Sequence, residues 1–271
     1  MTSTINAMPA DNEIYNQPGD IWWDEWQPLH AIRTSLNPAR MQYFASVFAA
    51  RGLDLAGKVV IDVGCGGGLM AEEIARLGAA VIGVDPSAAS IATARAHAAG
   101  GGLEIDYRVG SGERLPAGDG CADVVYCLDV LEHVADLDAV IGETARVLKP
   151  GGLYLFDTIN RTRLSKLAVI KVSQEWAATA LMPPGLHDWD QFITPAELGD
   201  CLARHGLHQH DLTGMTPALS PPALVRLVRL VRLVKKGKLS YADFGRQAAF
   251  TLTSDLRISY LGHATKNAPG A

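Results

Sequence analysis

Hydrophobic and polar positions follow one another in blocks, and the spacing of these blocks predicts strands and helices in turn. Continuous apolar runs are typical of parallel strands that are buried on both faces. Helical spacing, as at Leu69, Ile74 and Leu77, separates the runs. This alternation predicts an α/β fold with a doubly wound, mostly parallel sheet of the Rossmann-like type. The predicted strands are Val59–Val63, Ala79–Val84, Leu103–Val109, Cys121–Leu128 and Leu153–Asp157.

The pattern is less regular outside this central unit. Residues 1–20 are expected to be a flexible tail before one domain over 21–266. Apolar residues at helical spacing predict a helix from Leu164 to Met182, within a helical insertion over about 163–190. Leu256 to His263 alternates well enough to be the last strand, an antiparallel C-terminal edge strand of the sheet.

Three tryptophans, Trp22, Trp23 and Trp26, lie within the segment 21–36. Tryptophans are costly to leave in water, so the segment is expected to pack on something. One interpretation is that they attach the segment to the core, and the other is that they form a lid over a ligand cleft. The helix that follows is predicted to begin with Asn37 as its N-cap and Pro38 at its first position.

A basic stretch lies between the last two predicted elements, in an insertion over about 217–250. Wound as a helix, residues 224–236 place most of their leucines on one face and their arginines and lysines on the other. A basic amphipathic helix can lie on an anionic membrane surface. An ordinary surface helix with solvated arginines is the alternative. Because the stretch is rich in valine, a β-strand is a third interpretation.

Composition narrows the classes of partner. The formal net charge is −5 and the pI about 5.9, whereas a nucleic-acid partner usually selects a basic surface. No nucleic-acid partner is therefore expected. The sequence contains no apolar stretch typical of a signal peptide or membrane span. A reduced, cytoplasmic setting is expected because no C-x-x-C pair occurs among Cys65, Cys121, Cys127 and Cys201.

The run Val59–Val63 breaks directly into a glycine-rich turn. Gly64, Gly66 and Gly68 lack Cβ atoms, so the backbone can turn sharply and a ligand can lie against it. The next predicted strand ends in Asp85, and an acid at that position accepts hydrogen bonds from ribose hydroxyls. The turn therefore predicts a nucleoside-binding site at the carboxyl ends of the strands.

The spacing of the glycines distinguishes between cofactors. A dinucleotide fingerprint, G-x-G-x-x-G, has its third glycine where this chain has Leu69. The order G-x-G-x-G resembles the first motif of class I S-adenosylmethionine-dependent methyltransferases, whose cofactor has a ribose and a methionine tail but no pyrophosphate. That resemblance implies that Ser111 and Gly112, after a later strand, lie along the adenine. A Rossmann-like unit that binds NAD, or no ligand, is the alternative.

A second group of polar residues follows the strand that ends at Leu128. Asp129, Glu132 and His133 can converge there, and hard oxygen ligands suit Mg²⁺ or Mn²⁺. A metal would hold a bound phenol as phenolate. Without metal, His133 is a candidate general base, because its reference pKa of about 6.5 lies near working pH. A histidine that only orients a loop or contacts the cofactor is the alternative.

Several motifs together resemble the UbiG-type O-methyltransferases of quinone biosynthesis, over about residues 20 to 266. They stand in the family's order and spacing: Trp22-Trp23-Asp24, Pro28-Leu29-His30, Asn37-Pro38-Ala39-Arg40, Asp62 to Gly68, Leu131-Glu132-His133-Val134, Asn160-Arg161, Gly185-Leu186-His187-Asp188 and Phe192-Ile193-Thr194-Pro195.

The resemblance implies a role for each matching position. Cofactor binding is implied for Arg40, Asp62, Gly64, Gly66, Gly68, Asp85 and Leu128, with Arg40 on the methionine carboxylate. Catalysis is implied for Glu132 and His133, a metal site for Asp129, Glu132 and His133, and acceptor contacts for His187 and Asn160. For His187, a role that only caps a turn is the alternative. Asp129 stands where a glutamate is common, and its shorter side chain weakens the metal expectation. The basic insertion is longer than in a typical member.

The leading hypothesis is an S-adenosylmethionine-dependent O-methyltransferase that acts on a polyprenylated phenol or catechol in ubiquinone synthesis, with Mg²⁺ as an optional second cofactor. It would be cytoplasmic and peripheral on the inner membrane face, through 164–182 and 224–236. One alternative is the same architecture acting on a soluble phenolic metabolite. The other is a membrane-associated module that binds the cofactor without turnover.

Overall fold

The computed structural model describes residues 12–16 and 20–268, and its centre is one eight-stranded sheet. The strands are β1 (Val59–Val63), β2 (Ala80–Asp85), β3 (Asp106–Val109), β4 (Ala122–Cys127), β5 (Leu148–Ile159), β6 (Leu207–Pro217), β7 (Phe250–Thr253) and β8 (Ser259–Lys266). Their order across the sheet is β3-β2-β1-β4-β5-β8-β6-β7. The first five pair in parallel, and β8, β6 and β7 add antiparallel pairs.

Helices cover both faces of this sheet. They are α1 (His30–Ser35), α2 (Asn37–Arg51), α3 (Leu69–Arg76), α4 (Ala88–Gly100), α5 (Leu137–Val147), α6 (Arg163–Ser165), α7 (Pro195–Arg204), α8 (Pro221–Lys235) and α9 (Tyr241–Gln247). Neighbouring positions of one strand enter opposite cores: Val60 packs with Phe44 on one face, and Ile61 packs with Ile141 on the other. Burial on both faces explains why the parallel strands appear as continuous apolar runs.

The predicted doubly wound sheet is confirmed, and so is its antiparallel edge region. The place of the C-terminal strand within that region was predicted wrongly. β8 lies between β5 and β6, and the edge strand is β7. The sequence pattern missed β7 because four residues, Phe250–Thr253, are too few for a clear alternation.

Two predicted segments differ from the structure. Residues 1–11 of the expected tail lie outside the described residues, but Asn12–Asn16 forms a 3₁₀ turn. The helix that the sequence predicts to reach Met182 ends at Glu175. It begins as α6, and α6 continues directly into a π-helical segment, Lys166–Glu175. Side-chain hydroxyls compete for its carbonyls, since Ser173 donates to Ala168 at 2.9 Å and Thr179 donates to Val172 at 2.6 Å.

The basic stretch is a helix, α8, and this settles the choice between helix and strand. Leu230, Val231 and Val234 are buried, while Arg226 and Arg229 are exposed. The following helix, α9, packs against α1 of the N-terminal segment. Among the described residues, no helix combines the length and the apolar character needed to cross a membrane.

Candidate active site

The glycine-rich turn between β1 and α3 is held against the end of β2. The backbone N–H groups of Gly64 and Cys65 both donate to the Val84 carbonyl, at 2.7 and 3.0 Å. Gly64 has φ +74°, and a Cβ there would lie 2.2 Å from Val130 Cγ2. Only glycine fits this position without displacing Val130, so the turn leaves its backbone open to a ligand.

Asp85, at the end of β2, fixes the other side of the turn. Its carboxylate accepts from the Gly66 backbone N–H at 2.9 Å and from the Ser87 N–H at 2.8 Å. Burial raises the pKa of this carboxyl, although both hydrogen bonds favour the charged form. The side chain is 8% exposed, and the exposed part faces the cavity.

A cavity of about 490 Å³ opens at the carboxyl ends of the parallel strands. It receives most of the residues that the sequence assigned to the cofactor. Those that line it are Arg40, Asp62, Gly64, Asp85, Ser111, Gly112 and Leu128. Gly66 and Gly68 are not among the lining residues. Gly66 carries the N–H that holds Asp85, and Gly68 lies against the Tyr107 hydroxyl.

Trp22 and Tyr15 roof this cavity. The Trp22 ring lies on the glycine turn, because a Cβ on Gly67 would be 2.2 Å from it. Its indole N–H donates to the Ser90 hydroxyl at 3.1 Å. The Tyr15 ring stacks on Trp22 with centroids 5.9 Å apart, and the Tyr15 carbonyl accepts from Ser87 and Ser90. Sequence reasoning missed Tyr15, since nothing local distinguishes it from a residue in a loose tail.

Arg40 is buried in the cavity wall and is paired with two carboxylates. Its Nε donates to Asp157 at 2.7 Å, and its Nη2 lies 2.5 Å from the Asp129 carboxylate. Asp129 adopts φ +53°, the left-handed region that side chains other than glycine rarely occupy. The strained backbone directs Asp129 toward Arg40, and backbone strain of this kind is often found at functional sites.

Asn37 is a second buried residue of this wall. The predicted N-cap role is wrong, because Leu36 occupies the cap position. Instead, Asn37 Oδ1 accepts from Arg40 Nη1 at 3.1 Å, and its Nδ2 has no hydrogen-bond partner among the described residues. Arg40 Nη2, by contrast, is ion-paired with the Asp129 carboxylate. One buried donor that has no partner in the described part of the chain, Asn37 Nδ2, is thus available beside the cavity.

Asp62 is also buried in the wall. It accepts a hydrogen bond from the Tyr126 hydroxyl at 2.9 Å. Burial raises the pKa of Asp62 to about 7, and the bond from Tyr126 opposes part of that rise. The Asp62 carboxyl is therefore harder to ionise than an ordinary aspartate side chain.

The residues expected to hold a metal are not assembled as predicted. Asp129 is tied to Arg40, whereas His187 joins Glu132 and His133, with their ligand atoms within 4.8 Å of one another. Glu132 Oε1, His133 Nδ1 and His187 Nδ1 are buried without hydrogen-bond partners among the described residues. The other Glu132 oxygen accepts from the Thr158 hydroxyl at 2.8 Å.

Burial controls the charge of this cluster. It raises the pKa of Glu132, and the nearby Asp129 carboxylate adds to the rise. Burial lowers the pKa of His133, and it lowers that of His187 to about 3, aided by His133. Both imidazoles are neutral at pH 7, so Glu132 is the strongest base in the cluster.

Asn160 does not reach the cavity wall. Its side-chain amide donates to the Leu256 carbonyl at 2.9 Å, and its own carbonyl accepts from the Ser165 hydroxyl. His187 is not a lining residue either, but its ring centroid is 4.9 Å from that of His133, which lines the cavity.

Comparison with known proteins agrees with this geometry. Residues 61–156 match the family described as "Methyltransferase domain". The solved structure of magnesium protoporphyrin IX methyltransferase from Synechocystis PCC 6803 matches with a TM-score of 0.59 and 20% identity, covering 94% of this chain and 97% of that one. The solved structure of a "putative sarcosine dimethylglycine methyltransferase" from Galdieria sulphuraria matches with a TM-score of 0.59 and 19% identity, covering 83% of this chain and 84% of that one. The fold is that of a class I methyltransferase.

Closer relatives identify the family within this class. Ubiquinone biosynthesis O-methyltransferases from Nitrosococcus oceani and Cereibacter sphaeroides are each 41% identical to this chain, covering 78% and 79% of it and 86% and 89% of their own lengths. The chain belongs to the family of ubiquinone biosynthesis O-methyltransferases, as its motifs had indicated.

The residues present fit S-adenosylmethionine. The cavity offers the unpartnered Asn37 Nδ2 beside the Arg40 guanidinium for a carboxylate, and the Asp85 carboxyl for ribose hydroxyls. They fit Mg²⁺ poorly, because two neutral imidazoles and one carboxyl of raised pKa are not the oxygen-rich set that Mg²⁺ prefers.

Proposed function

We propose that this protein transfers a methyl group from S-adenosylmethionine to a hydroxyl of a polyprenylated phenol or catechol in ubiquinone synthesis. The observation that carries the proposal is the trio of unpartnered buried atoms on Glu132, His133 and His187, of which His133 lines the cofactor-sized cavity and the other two lie beside it. Buried polar atoms are rarely left without partners, so this cluster is a receptor for hydroxyl groups. A catechol has two adjacent hydroxyls that match it.

The cofactor would be held by its three polar parts. Asn37 Nδ2 and Arg40 Nη2 bind the methionine carboxylate, and Asp85 accepts the ribose hydroxyls. The adenine lies along Ser111, Gly112 and Leu128. Bound in this way, S-adenosylmethionine supplies an electrophilic methyl group on a sulfonium. The Asp129 carboxylate, one-third exposed beside Arg40, is available for the methionine ammonium.

Glu132, in its ionised form, would take the proton of the acceptor hydroxyl. Its Oε1 is free while Oε2 is held by Thr158, and its raised pKa brings its basicity closer to that of a phenol. The neutral imidazoles of His133 and His187 orient the ring and its second oxygen. Alignment of the oxygen about 3 Å from the methyl carbon then contributes most of the rate.

The Trp-rich segment would act as a lid in this reaction. Trp22 and Tyr15 cover the glycine turn, and α1 continues the cover toward α9. A site closed to water protects the reacting charges and keeps the acceptor oxygen desolvated. The segment must therefore open and close with each exchange of cofactor.

We also propose that the protein docks peripherally on the inner, cytoplasmic membrane face. The insertion 164–182 exposes Leu167 and Trp176, and α8 exposes Val225 beside its arginines. Lys235, at the end of α8, donates to the Ala177 carbonyl, which joins the two surfaces. An apolar strip next to a basic strip is the composition of a helix that lies on anionic lipid.

Co-sedimentation with vesicles tests the docking. Charge reversal of α8, with Arg226, Arg229 and Arg232 changed to Glu, is expected to abolish binding to anionic vesicles, while wild-type protein binds these and not zwitterionic ones. The control reverses three other exposed arginines, Arg51, Arg114 and Arg246. Equal binding by the two triple variants would remove the proposal.

A substrate panel tests the acceptor class. Methyl transfer is measured with catechols that differ only in the presence of a short prenyl chain. Higher kcat/KM for the prenylated members is expected, because the segment beside His187 contains an apolar cluster, Ile159, Ile170 and Phe192. Equal or better turnover of the unprenylated catechols would point to a soluble phenolic substrate.

A further inference from the structure

A second group of ligand-type side chains lies where α5 and α7 meet. Asp138 is in the first turn of α5, Cys201 is in the last turns of α7, and His205 follows α7 directly. Their ligand atoms all lie within 4.8 Å of one another. None of the three lines the cofactor cavity, and none has a part in the proposed methyl transfer.

The spacing of these atoms matches a tetrahedral metal site. Cys201 Sγ is 3.6 Å from Asp138 Oδ1, and His205 Nε2 is 3.1 Å from Asp138 Oδ2. Bond lengths of ~2.0–2.3 Å to zinc place the ligand atoms of a tetrahedron about 3.3–3.6 Å apart. The two distances end on different Asp138 oxygens, so the carboxylate must turn for one oxygen to share a metal ion with Cys201 and His205.

The histidine provides an independent observation. His205 Nε2 is a buried atom with no hydrogen-bond partner among the described residues, although Asp138 is near, because the angle to the carboxylate is unfavourable. The imidazole fits into a notch on α5 at Gly142, where an added Cβ would lie 3.1 Å from His205 Cε1. The ring is thus positioned with its Nε2 on the Asp138 side of the cluster.

We propose that Asp138, Cys201 and His205 bind a divalent transition metal of the zinc type, with solvent in the fourth position. One thiolate, one imidazole and one carboxylate form a donor set suited to zinc and unsuited to Mg²⁺ or Ca²⁺. Cys201 is 2% exposed, whereas Asp138 is open to solvent, so the ion enters from the Asp138 side. Binding joins α5 to α7 without touching the methyl-transfer site.

Arg204 competes for this site. Its Nη2 donates to Asp138 Oδ1 at 2.7 Å, and its side chain is 59% exposed. An exposed ion pair is weak, so the guanidinium can move into solvent when a metal arrives. Removal of this competing cation is therefore expected to strengthen metal binding. A set of residues that served only to pack the helices would not show that effect.

Titration of the full-length protein with Co²⁺ tests the site through its thiolate. A near-ultraviolet thiolate-to-cobalt absorption that saturates at one equivalent is expected, and Zn²⁺ should displace it. Glu132, His133 and His187 contain no thiol, so Co²⁺ bound there does not produce this band. Failure to observe the band in the wild-type protein would overturn the proposal.

Variants assign the band to the cluster. Cys201→Ser is expected to abolish it, His205→Gln to weaken Co²⁺ binding at least tenfold, and Arg204→Gln to tighten it several-fold. Cys121→Ser is the matched control and should leave it unchanged, since Cys121 is the partly exposed cysteine outside the cluster. A band that survives Cys201→Ser, or that is lost in Cys121→Ser, would contradict the assignment.

A metal that binds only the folded state stabilises it, so Zn²⁺ is also expected to raise the Tm of wild-type protein by several degrees. The Tm of Arg204→Gln should rise by more, and that of His205→Gln should not change. An equal shift in all three proteins would place the ion elsewhere. This readout does not depend on methyl transfer, so its outcome is separate from that of the proposed function.

Discussion

The pairing of Arg40 with Asp157 and Asp129 determines how the methionine end of the cofactor can be bound. Arg40 Nε donates to the Asp157 carboxylate, and Arg40 Nη1 donates to the side-chain oxygen of Asn37, Oδ1. This hydrogen bond fixes the orientation of the Asn37 side-chain amide, whose Nδ2 has no hydrogen-bond partner among the described residues. In the proposed function, these two residues of the same helical turn act together as the receptor for the methionine carboxylate, because the hydrogen bond between them fixes the orientation of both side chains.

Asn37→Asp tests this receptor with almost no change of shape. The variant keeps the oxygen that accepts from Arg40 and replaces the free donor with a second oxygen. Loss of a hydrogen bond to a charged group costs about 1.5–3 kcal/mol. The Kd for S-adenosylhomocysteine, measured by calorimetry, is therefore expected to rise at least tenfold.

Methylthioadenosine is the control ligand, because it has the adenosine portion but no methionine carboxylate. Its affinity should be the same for Asn37→Asp and wild-type protein. An equal loss for both ligands would mean that Asn37 supports the fold of the cavity and not the carboxylate.

Asp62 gives a prediction for stability against pH. Its folded pKa of about 7 lies above the ordinary value near 4, so the folded state binds the proton more tightly than the unfolded state. The stability that this proton contributes is complete below about pH 4 and is lost as pH rises through 7. From the size of the shift, the loss is on the order of 2–4 kcal/mol.

Urea unfolding of wild-type protein and Asp62→Asn at pH 5, 6, 7 and 8 measures this contribution. The amide does not titrate, and the other buried carboxyls are common to both proteins. The wild type is expected to lose stability relative to the variant as pH rises. Parallel curves would show that Asp62 keeps the same charge in the folded and unfolded states.

At the scale of elements, the N-terminal segment depends on a contact made near the other end of the chain. Gly245 of α9 lies directly against α1, and an added Cβ would be 2.0 Å from Thr34 Oγ1 and 3.0 Å from the Ala31 carbonyl. The Ala242 N–H also donates to the Glu25 carbonyl at 3.2 Å. The segment that covers the cavity is thus held by α9 as well as by the glycine turn.

Gly245→Ala is expected to separate α9 from α1. Overpacking of this kind costs about 1–3 kcal/mol, so Tm should fall by several degrees. Cleavage of the N-terminal segment by added protease should also become faster. Gly100→Ala is the control because a Cβ there meets nothing within 4 Å. Protease sensitivity equal to that of the control would rule out α9 as a support of the segment.

Elements with a local signal were predictable from the sequence, and those that depend on distant contacts were not. β1 and the glycine turn follow from a buried apolar run that ends in Gly64. The side chain of Asn37 accepts from Arg40 on its own helix, and Arg40 is held in turn by Asp157 of β5, so the local spacing at Asn37 indicated only a cap. The family resemblance predicted an acceptor contact for His187. Only the structure shows that His187, and not Asp129, lies beside Glu132 and His133.

At the scale of the whole molecule, positive charge is concentrated in α8. The chain has a net charge of −5, yet five of its 24 lysines and arginines lie within residues 226–236. An acidic protein with one basic strip is attracted to anionic lipid in a single orientation. In the proposed docking, that orientation would turn the exposed apolar side chains of the 164–182 insertion toward the lipid, because Lys235 of α8 donates to the Ala177 carbonyl of the insertion.

The central claim is that Glu132 accepts the proton of the acceptor hydroxyl without help from Mg²⁺. The most direct measurement is single-turnover methyl transfer from S-adenosylmethionine to a short-chain prenylated catechol after chelation of divalent metal. Wild-type protein is expected to remain active under these conditions.

Glu132→Gln is expected to react about 10²–10⁴-fold more slowly in this assay, since the amide keeps the bond from Thr158 but cannot take a proton. Its Kd for S-adenosylhomocysteine should be unchanged. A wild-type rate in Glu132→Gln, or activity of the wild type that disappears on chelation and returns with Mg²⁺, would contradict the account.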